Sequence, residues 1–536
     1  MKRRLSFLLA LVLALSLCGA ASATSTDDNF NATGYPVAKE PVTYTALTVS
    51  SPMYADDWND FTVIKYLSDY TNVHFDWQYI SDTDWQTQIN LRLVSGDLPD
   101  IIYNALDMSQ LQTYGVEGGM FLDYTKYIDQ YMPNMKAAFE KYPDMASFAK
   151  MLDGSIYSLV QNVWTYGMAD PMYYRGDMMA EMGAKVPTTV DEFYDLLVAA
   201  KEYYKDVDGF YPFMSRSHWV YQNLFPAFGD AWQATNLANP GGYGDNGDGK
   251  VTYNYVSDQW RRFLEFFNKM YVNGLVDPEI FTQDDSAVNA KIKAGQCMFI
   301  GRSGTQLTAD YYKSGKVETK ILPPLVSQWT TEQKSLAINT LSLAGRVINV
   351  NCKNPEYLMR YNDLFFTDIP GAVDGICGVT SWLGVKGTDW DISDDGQSYF
   401  RILPADTKGL SEEEYKNKYV VSSNYVGLVI LNLFPMNNPT QEMKSRESAV
   451  NYYPYMKPRL LDDYFKYTED ESSTLNGLVT DITAYVNTAS SQFMSGAVEL
   501  NDATWANYVD TVNAMGLDQV LAIKQTGYDR WLGKKS

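Results

Sequence analysis

The sequence predicts an α/β protein built from two lobes. Helical and strand periodicities alternate from Val42 to Tyr103, which is typical of a largely parallel sheet with helices packed against it. The chain has 536 residues, and a single hydrophobic core rarely extends over so many, so we expect two lobes. No internal repeat of fixed period is visible in the sequence.

The first elements follow from the spacing of apolar side chains. Val42 to Val49 is rich in β-branched residues and predicts a strand. The helix after it is indicated by apolar residues at three-residue steps, namely Trp58, Phe61, Ile64 and Leu67. The next strand is indicated by alternating large residues, namely Val73, Phe75, Trp77 and Tyr79.

Residues 90–102 combine a helix end, a turn and a buried strand. Trp85, Ile89 and Leu93 recur at four-residue steps and lie on one face of the predicted helix. Gly96 is suited to the left-handed conformation that ends a helix. Pro99 prevents further helix, and the residues from Asp100 to Tyr103 predict a strand that enters a sheet.

This segment resembles the SGDLPDII signature of family 1 extracellular solute-binding proteins, the sugar-capturing subunits of ABC importers. Three later segments resemble family blocks in the same order, at residues 174–193, 249–279 and 502–518. The first of them contains Thr189 and Glu192, a T-x-x-E capping box that predicts a helix start. The resemblance covers roughly Gly34 to Trp531.

The resemblance implies a two-lobed fold of the type II periplasmic-binding-protein kind, with discontinuous lobes and a hinge. It implies three chain crossings between the lobes, which we expect near 161–173, 321–325 and 371–382. The first lobe would contain residues 42–160 and 326–375, and the second would contain 165–322 and 376–536. Ligand would bind in the cleft, and hinge closure is the motion that this architecture allows.

The amino terminus predicts export. Residues Met1 to Arg4 are basic, and the apolar run from Leu5 to Leu17 is too short to span a bilayer. We favour a signal peptide over 1–23, cleaved after Ala23, because Leu17 is bulky where a lipoprotein signal requires a small residue. A lipid on Cys18 is the alternative. Residues 24–41 predict a flexible tether, and the protein would be extracellular and held at the cell surface, or periplasmic if the source has an outer membrane.

Charge and cysteine content exclude several classes of protein. The formal net charge of −22 would repel phosphate backbones, so nucleic-acid binding is disfavoured. Cys297, Cys352 and Cys377 lack the close pairs of a zinc or thioredoxin-like site. We expect structural thiols, with one unassignable disulfide as the alternative, and no cofactor. The 41 Tyr and 12 Trp residues suit the flat faces of sugar rings.

Residues 244–250 invite a calcium interpretation that their spacing does not support. An EF-hand register would place Gly244 first and Tyr255 twelfth, and neither supplies the required carboxylate. We therefore expect a tight turn between strands and no metal.

Catalytic motifs do not provide a better interpretation. The two histidines are His74 and His218, and the sequence contains no G-x-S-x-G elbow, H-E-x-x-H motif or Walker loop. Paired carboxylates remain possible among 65 Asp and Glu residues, which leaves a secreted carbohydrate-active enzyme as the rival class.

Candidate ligand contacts follow from position in the predicted fold. Asn104 and Asp107 come directly after a strand, and ligands bind beyond the carboxyl ends of strands in open α/β sheets. The resemblance implies sugar contacts in this loop, where Asp107 matches an acidic residue and Asn104 replaces an aromatic one. Arg175 belongs to a family block, and an ion pair with Asp177 is its structural alternative. The other candidates are aromatic, basic or imidazole side chains near the expected crossings and loops, namely Trp164, Tyr166, Tyr173, His218, Trp219, Arg302 and Trp382.

The resemblance thus implies a monomeric substrate-binding component of an ABC importer, which captures a carbohydrate and delivers it to permease subunits. We expect an oligosaccharide, recognised by stacking on Trp and Tyr and by hydrogen bonds from Asp, Asn and Arg, without catalysis. The alternative among binding proteins is the same fold carrying a peptide or another small solute.

Overall fold

The computed structural model describes most of the chain. The described residues are 27–164, 172–215, 224–231, 242–245, 248–283, 285–301, 319–337, 341–366, 383–392, 399–406, 410, 412–421, 429–430, 455–458 and 465–533. The strands within them are β1 (Val42–Ser50), β2 (Val73–Ser81), β3 (Ile101–Ile102), β4 (Val160–Trp164), β5 (Tyr173–Arg175), β6 (Phe213–Met214), β7 (Tyr243–Gly244), β8 (Thr252–Tyr253), β9 (Phe299–Ile300), β10 (Thr319–Ile321), β11 (Ser335–Ala337), β12 (Leu341–Leu343), β13 (Val347–Ile348), β14 (Trp390–Ile392), β15 (Tyr399–Arg401), β16 (Val429–Ile430) and β17 (Met456–Pro458).

The helices of the described residues fall into an amino-terminal group, a central group and a carboxyl-terminal group. They are α1 (Thr62–Thr71), α2 (Trp85–Ser95), α3 (Met108–Gln110), α4 (Ile128–Tyr131), α5 (Pro133–Lys141), α6 (Pro143–Ala149), α7 (Gly176–Glu181), α8 (Val190–Tyr203), α9 (Asp258–Val272), α10 (Asp285–Lys293), α11 (Glu356–Asp363), α12 (Glu412–Tyr415), α13 (Glu469–Ser495), α14 (Asp502–Ala514) and α15 (Leu517–Trp531). Among these helices, none is both long enough and apolar enough to cross a bilayer.

The first sheet has the strand order β13-β3-β1-β2. β1 runs parallel to β2 and β3, as the alternation of helix and strand predicted, and β13 joins β3 in antiparallel orientation. Trp85, Ile89 and Leu93 are buried on one face of α2, which ends at Gly96 with φ +73°. We call this sheet and the elements packed against it the first lobe.

The second sheet has the order β10-β5-β9-β6 and is mixed, with β6 parallel to β9. α8 begins beside it, and the predicted capping box is formed. Thr189 Oγ1 accepts from the Glu192 amide at 3.1 Å, and the Glu192 carboxylate accepts from the Thr189 amide at 3.3 Å. Together with α7 and α9, this sheet forms the second lobe.

A third sheet pairs strands from distant parts of the chain. β4 lies between β12, which is antiparallel to it, and β16, which is parallel to it. Leu159 extends the pairing, because its carbonyl accepts from the Ala344 amide at 2.8 Å and its amide donates to the Gly345 carbonyl at 3.1 Å. We call β12, β4 and β16 the hinge sheet.

α13 is the longest described helix and packs against α9 of the second lobe. The side-chain amide of Asn268 on α9 donates to the Phe493 carbonyl at 2.9 Å. Thr468 and Glu471 form a capping box at the first turn of α13. Glu471 also pairs with Arg530 of α15 at 2.5 Å, which ties the carboxyl-terminal helix to the start of α13.

The segment before β1 is packed rather than extended into solvent. Val37 and Ala38 are fully buried. The Phe30 ring contacts those of Tyr131 and Tyr357 edge-on, with centroid distances of 5.6 and 4.9 Å. Because these apolar side chains gain cover from the first lobe, the tether that we predicted over 24–41 does not include residues 27–40.

Two segments make contacts that bear on the predicted division into lobes. The Thr189–Val326 bridge and a 3.0 Å bond from Lys334 to the Asp230 carbonyl connect residues 326–334 to the second lobe, beyond the crossing expected near 321–325. Residues 412–421 contact the first lobe, although we placed 376–536 in the second. There Lys418 donates to the Tyr54 carbonyl at 2.9 Å. The other predicted boundaries stay predictions.

Two of the three cysteines beyond the signal are buried thiols. Cys297 lies in the core of the second sheet, and Cys352 lies in the first lobe. Burial raises the pKa of the Cys297 thiol to about 12, so it is inert at neutral pH. Cys377 lies outside the described residues.

Candidate functional site

A cavity of about 640 Å³ lies where the first lobe meets α13. Seven of its lining residues come from α2 and from the helical segment that begins at Asp107, and one comes from α13. The lining residues are Gln86, Asn90, Asp107, Ser109, Gln110, Thr113, Tyr114 and Asn476. Because α13 also packs against α9 of the second lobe, the cavity lies between the first lobe and a helix that contacts the second, and we call it the cleft cavity.

Asp107 enters the cavity at the carboxyl edge of the first sheet. The chain leaves β3 at Ile102 and turns into α3 at Asp107. Asp107 Oδ1 accepts from the Gln110 amide at 2.7 Å, and Gln110 Oε1 accepts from the Asp107 amide at 3.0 Å. This reciprocal capping box fixes both side chains before any ligand is present.

A π-helical turn over Leu111–Glu117 continues α3 without a break. The Gly118 amide donates to the Thr113 carbonyl at 2.9 Å, a bond between residues five apart. Such turns are rare and frequently occur at functional sites, because they widen the helix and redirect its side chains. Here Thr113 and Tyr114 line the cleft cavity.

The polar face of α2 supplies the adjoining wall. Gln86 and Asn90 are four residues apart and therefore lie on the same side of the helix. Gln110 Nε2 donates to Asn90 Oδ1 at 2.8 Å. This bond joins the two walls through Asn90 Oδ1, and among the described residues it leaves Asn90 Nδ2 available as a donor.

The charges around the cavity are one lysine and several carboxylates. Lys466 precedes α13 and donates to the Phe148 carbonyl at 2.8 Å, with Met108 Sδ at 3.4 Å. Burial lowers the pKa of Lys466 to about 7. On the neighbouring turn, the charge of Glu117 raises the pKa of Glu469, whose carboxyl is hydrogen-bonded to it.

The hinge sheet lies directly against the loop that leads into the cavity. Gly345 has φ +68°, and a Cβ there would stand 2.1 Å from the Tyr103 carbonyl oxygen and 2.7 Å from the carbonyl carbon of Asn104. Asn104 itself is half-buried. A side chain at position 345 would therefore clash with the backbone at the start of the Asn104–Asp107 loop.

The sequence suggested ten side chains as ligand contacts, and one of them, Asp107, lines the described cleft cavity. Tyr173 is buried with Met214 and Ile300 in a small apolar cluster of the second sheet. Arg175 is buried too and pairs with Asp177 at 2.6 Å, which was its structural alternative.

The remaining candidates cannot be placed in the same way. Trp164 belongs to β4 by its backbone, and its side chain lies outside the description. Tyr166, His218, Trp219, Arg302 and Trp382 lie outside the described residues. Their contacts with ligand stay predictions.

Sequence reasoning missed most of the polar side chains of the cavity. The pair Gln86 and Asn90 left a signal, because polar residues four apart flank the apolar stripe of α2. Tyr114 left none, because a π-helical turn is not visible in residue spacing. Asn476 is an ordinary exposed residue of an amphipathic helix until α13 is brought to the first lobe.

The turn with EF-hand-like spacing is closed by side chains of α15. β7 and β8 pair as an antiparallel hairpin, as the sequence predicted. Gln525 accepts from the Val251 amide at 2.7 Å and donates to the Gly249 carbonyl at 3.2 Å, and the Tyr528 hydroxyl donates to Asp245. These side chains bond to the turn itself, and among the described residues there is no cluster of three or more metal-ligating side chains; the absence of calcium stays a prediction.

Comparison with known proteins gives a family and a fold. The model of the family described as bacterial extracellular solute-binding protein matches residues 50–356. The fructooligosaccharide ABC transporter substrate-binding protein FusA of Streptococcus pneumoniae is 24% identical over 99% of this chain and 98% of its own length. The polygalacturonan/rhamnogalacturonan-binding protein YtcQ of Bacillus subtilis is 23% identical over 55% of each chain.

Solved structures agree over nearly the whole chain. FusA in complex with kestose superposes with a TM-score of 0.71 at 22% identity, covering 92% of this chain and 100% of FusA. The alginate-binding protein AlgQ2 without calcium ion gives a TM-score of 0.67 at 21% identity, covering 94% and 100%. These neighbours are two-lobed, which confirms the predicted fold class. A second FusA structure is described as an EF-hand mutant, whereas the corresponding spacing here lacks the first and twelfth ligands.

Proposed function

The chain belongs to the bacterial extracellular solute-binding proteins, and we propose that it captures an oligosaccharide and delivers it to the permease subunits of an ABC importer. The cleft cavity is the observation that carries this proposal. It lies between the first lobe and α13, it is an open depression of about 640 Å³, and its lining is dominated by amides and hydroxyls with one tyrosine ring.

The chemistry of these side chains suits a polyol. Carboxamides donate and accept hydrogen bonds at once, as vicinal sugar hydroxyls do. Tyr114 adds a flat apolar face with a polar edge. Several relatives are named as oligosaccharide-binding proteins, and FusA, which matches along the full length, is named for fructooligosaccharides. A peptide ligand would require partners for its charged termini, and the described lining offers a single carboxylate and no cation.

The proposed contact set combines residues found by both approaches. Asp107 and Asn104 remain from the sequence, and Asn90, Tyr114 and Asn476 join them from the cavity. The aromatic and basic candidates outside the described residues complete the set as predictions. We propose no catalytic role, because the named relatives are binding proteins and the described cavity presents one carboxylate rather than an opposed pair.

Isothermal titration calorimetry with a panel of oligosaccharides tests the proposal. Kestose and fructo-nystose are the first probes because they occupy FusA in its solved structures. We expect saturable binding of at least one oligosaccharide, which chromatography then recovers unaltered. Absence of binding across the panel would refute the capture of a glycan, and cleaved or unsaturated products would favour the enzyme.

Two variants connect that binding to the cleft cavity. Tyr114→Ala and Asn476→Ala should each weaken binding by about 1–3 kcal/mol, the range for truncation of well-packed recognition side chains. Tyr203→Ala and Asn513→Ala are matched controls, because both residues are exposed, helical and outside the cavity. Equal affinities for the variants and the controls would move the site elsewhere in the chain.

We also propose that the protein is exported, acts as a monomer and is held at the cell surface. The family is extracellular, and the amino terminus carries the signal features described above. Mass spectrometry of the native protein should show Thr24 as the first residue. Recovery of a lipid-modified Cys18 from the membrane fraction would instead establish the anchor.

A further inference from the structure

The hydrogen-bonding groups of the cleft cavity define which glycans fit it. Asp107 uses Oδ1 to cap α3, and Gln110 uses both of its amide atoms on Asp107 and Asn90. Within the described residues, Asp107 Oδ2 and Asn90 Nδ2 have no intramolecular partner. The cavity therefore presents a fixed acceptor and a fixed donor on adjoining walls.

A neutral hydroxyl satisfies both groups, and a carboxylate does not. A sugar hydroxyl donates its hydrogen to Asp107 and accepts from Asn90 through its lone pairs. The ionised carboxylate group of a uronate has only acceptor atoms, so at this position it has no hydrogen to give to Asp107, and it adds a like charge beside that residue. Asp107 is an exposed residue, so the discrimination comes from the repulsion between the two carboxylates and not from burial of an unpaired acceptor.

No lining side chain of the described cavity compensates that charge. Seven of the lining residues are uncharged, and the eighth is Asp107. Lys466 lies beside Met108, but its ammonium group is directed to the Phe148 carbonyl. The start of α13 and the π-helical turn add the carboxylates of Glu469 and Glu117. The local charge is negative, as is that of the whole chain.

We infer that the cleft cavity selects uncharged oligosaccharides and discriminates against uronate chains. This inference rests on the proposed function and narrows its substrate class. The two classes are both represented among the relatives, since FusA is named for fructooligosaccharides, whereas YtcQ and AlgQ2 are named for polygalacturonan/rhamnogalacturonan and alginate. Full-length similarity alone does not distinguish them, because identity is 24% or lower in each case.

Paired ligands of equal size provide the test. The probes are kestose, fructo-nystose, trigalacturonate and its fully methyl-esterified form, titrated by calorimetry at pH 7.5 and low salt. We expect a neutral probe to bind, and trigalacturonate to bind at least tenfold more weakly than the tightest neutral probe. Equal or tighter binding of trigalacturonate would overturn the inference and leave glycan capture intact. Binding of no probe, followed by no binding across the wider panel, would remove the proposed function and this inference together.

Two charge variants identify the cause of the selection. Asp107→Asn keeps the helix cap, because Asn and Asp are equally good N-cap residues, and it removes the negative charge. We expect Asp107→Asn to reduce the ratio of the affinity for the tightest neutral probe to the affinity for trigalacturonate at least threefold. Asn476→Lys adds a cation and should strengthen trigalacturonate binding with a clear salt dependence, whereas the exposed control Asn513→Lys should not. If neither cavity variant alters the ratio while both remain folded by circular dichroism, the carboxylate of Asp107 does not determine the selection.

Discussion

Lys466 makes the stability of this protein depend on pH in a window where ordinary lysines do not titrate. Its side chain is held between the Phe148 carbonyl and Met108 of the first lobe, while its own carbonyl accepts from Arg530 of α15 at 3.1 Å. The Arg530 guanidinium forms an ion pair with the Glu471 carboxylate. Lys466 thus places an ammonium group at the junction of the lobes, and desolvation there disfavours its charged form.

The size of the effect follows from the pKa. Burial lowers the pKa of Lys466 from 10.5 to about 7. Between these values the unfolded chain binds one more proton than the folded chain, so stability rises with pH by up to about 1.4 kcal/mol per pH unit. Below pH 7 both states are protonated, and the destabilisation reaches its limit of about 5 kcal/mol. Above pH 10.5 both are neutral and the destabilisation disappears.

Replacement by methionine removes this titration and keeps the length of the side chain. We expect the difference in unfolding free energy between Lys466→Met and the parent to be largest at pH 6.5 and to shrink steadily toward pH 9.5. The variant also loses the hydrogen bond to the Phe148 carbonyl. That loss shifts the difference in unfolding free energy by about 1–3 kcal/mol at every pH and does not change its slope against pH. Urea unfolding at four pH values in this range, with m-values compared, measures the slope.

A surface lysine provides the control. Lys205 is exposed and paired with Glu202 at 2.6 Å, and that pairing raises its pKa. A raised lysine pKa gives stability that is present throughout pH 6.5–9.5 and is lost only at higher pH. The curve for Lys205→Met should therefore run parallel to that of the parent. A parallel curve for Lys466→Met as well would refute the reasoning about the buried ammonium.

Three further predictions concern the hinge, the calcium-like turn and a helix cap. Gly345→Ala should destabilise the protein by about 2–5 kcal/mol and weaken oligosaccharide binding. The backbone at this position has φ +68°, and an added Cβ would clash with the Tyr103 carbonyl oxygen. An unchanged melting temperature and an unchanged affinity would contradict this. Tyr528→Phe should lower the unfolding free energy by about 1 kcal/mol, because the bond to Asp245 is lost. Added calcium or a chelator should leave the melting temperature of the parent protein unchanged. A calcium-dependent rise in melting temperature that Asp245→Asn abolishes would show a metal site instead. Thr189→Ala should cost about 1 kcal/mol by urea unfolding, because the capping box of α8 is lost, and should leave the affinity for oligosaccharide unaltered; a parallel loss of affinity would mean that α8 contributes to the site.

The parts of the fold that could be predicted are those in which local chemistry and tertiary structure agree. β1, α1, β2 and α2 lie close to their expected bounds, because each has one apolar face and a terminating residue such as Gly96. The capping box of Thr189 and Glu192 is fixed by four consecutive residues. The Arg175–Asp177 pair formed because its members are two residues apart beside a strand. Such features depend on near neighbours, which a single sequence displays.

The remaining features depend on pairings between distant residues. β13 inserts beside β3 in antiparallel orientation because residues near 347 return to the first lobe, and no local pattern encodes that return. Residues 27–40 were expected to be a tether because they are polar, but Phe30 finds apolar cover that is supplied by α4 and α11, and Val37 is fully buried. Asn476 reaches the cleft cavity only through the packing of α13. Position along the chain therefore identified Asp107 and could not identify its partners.

The hinge sheet has a consequence for the integrity of the molecule. β4 is flanked by β12 and β16, two strands that come later in the chain. The chain therefore passes through this sheet three times, and backbone hydrogen bonds join the three passages. A protease that severs one of these passages would leave the other two strands in place to hold the fragments together. The nicked protein should then migrate as one particle under native conditions and separate into two pieces only in denaturant. Redundancy of this kind would limit the damage from a single cleavage in a protein of an extracellular family.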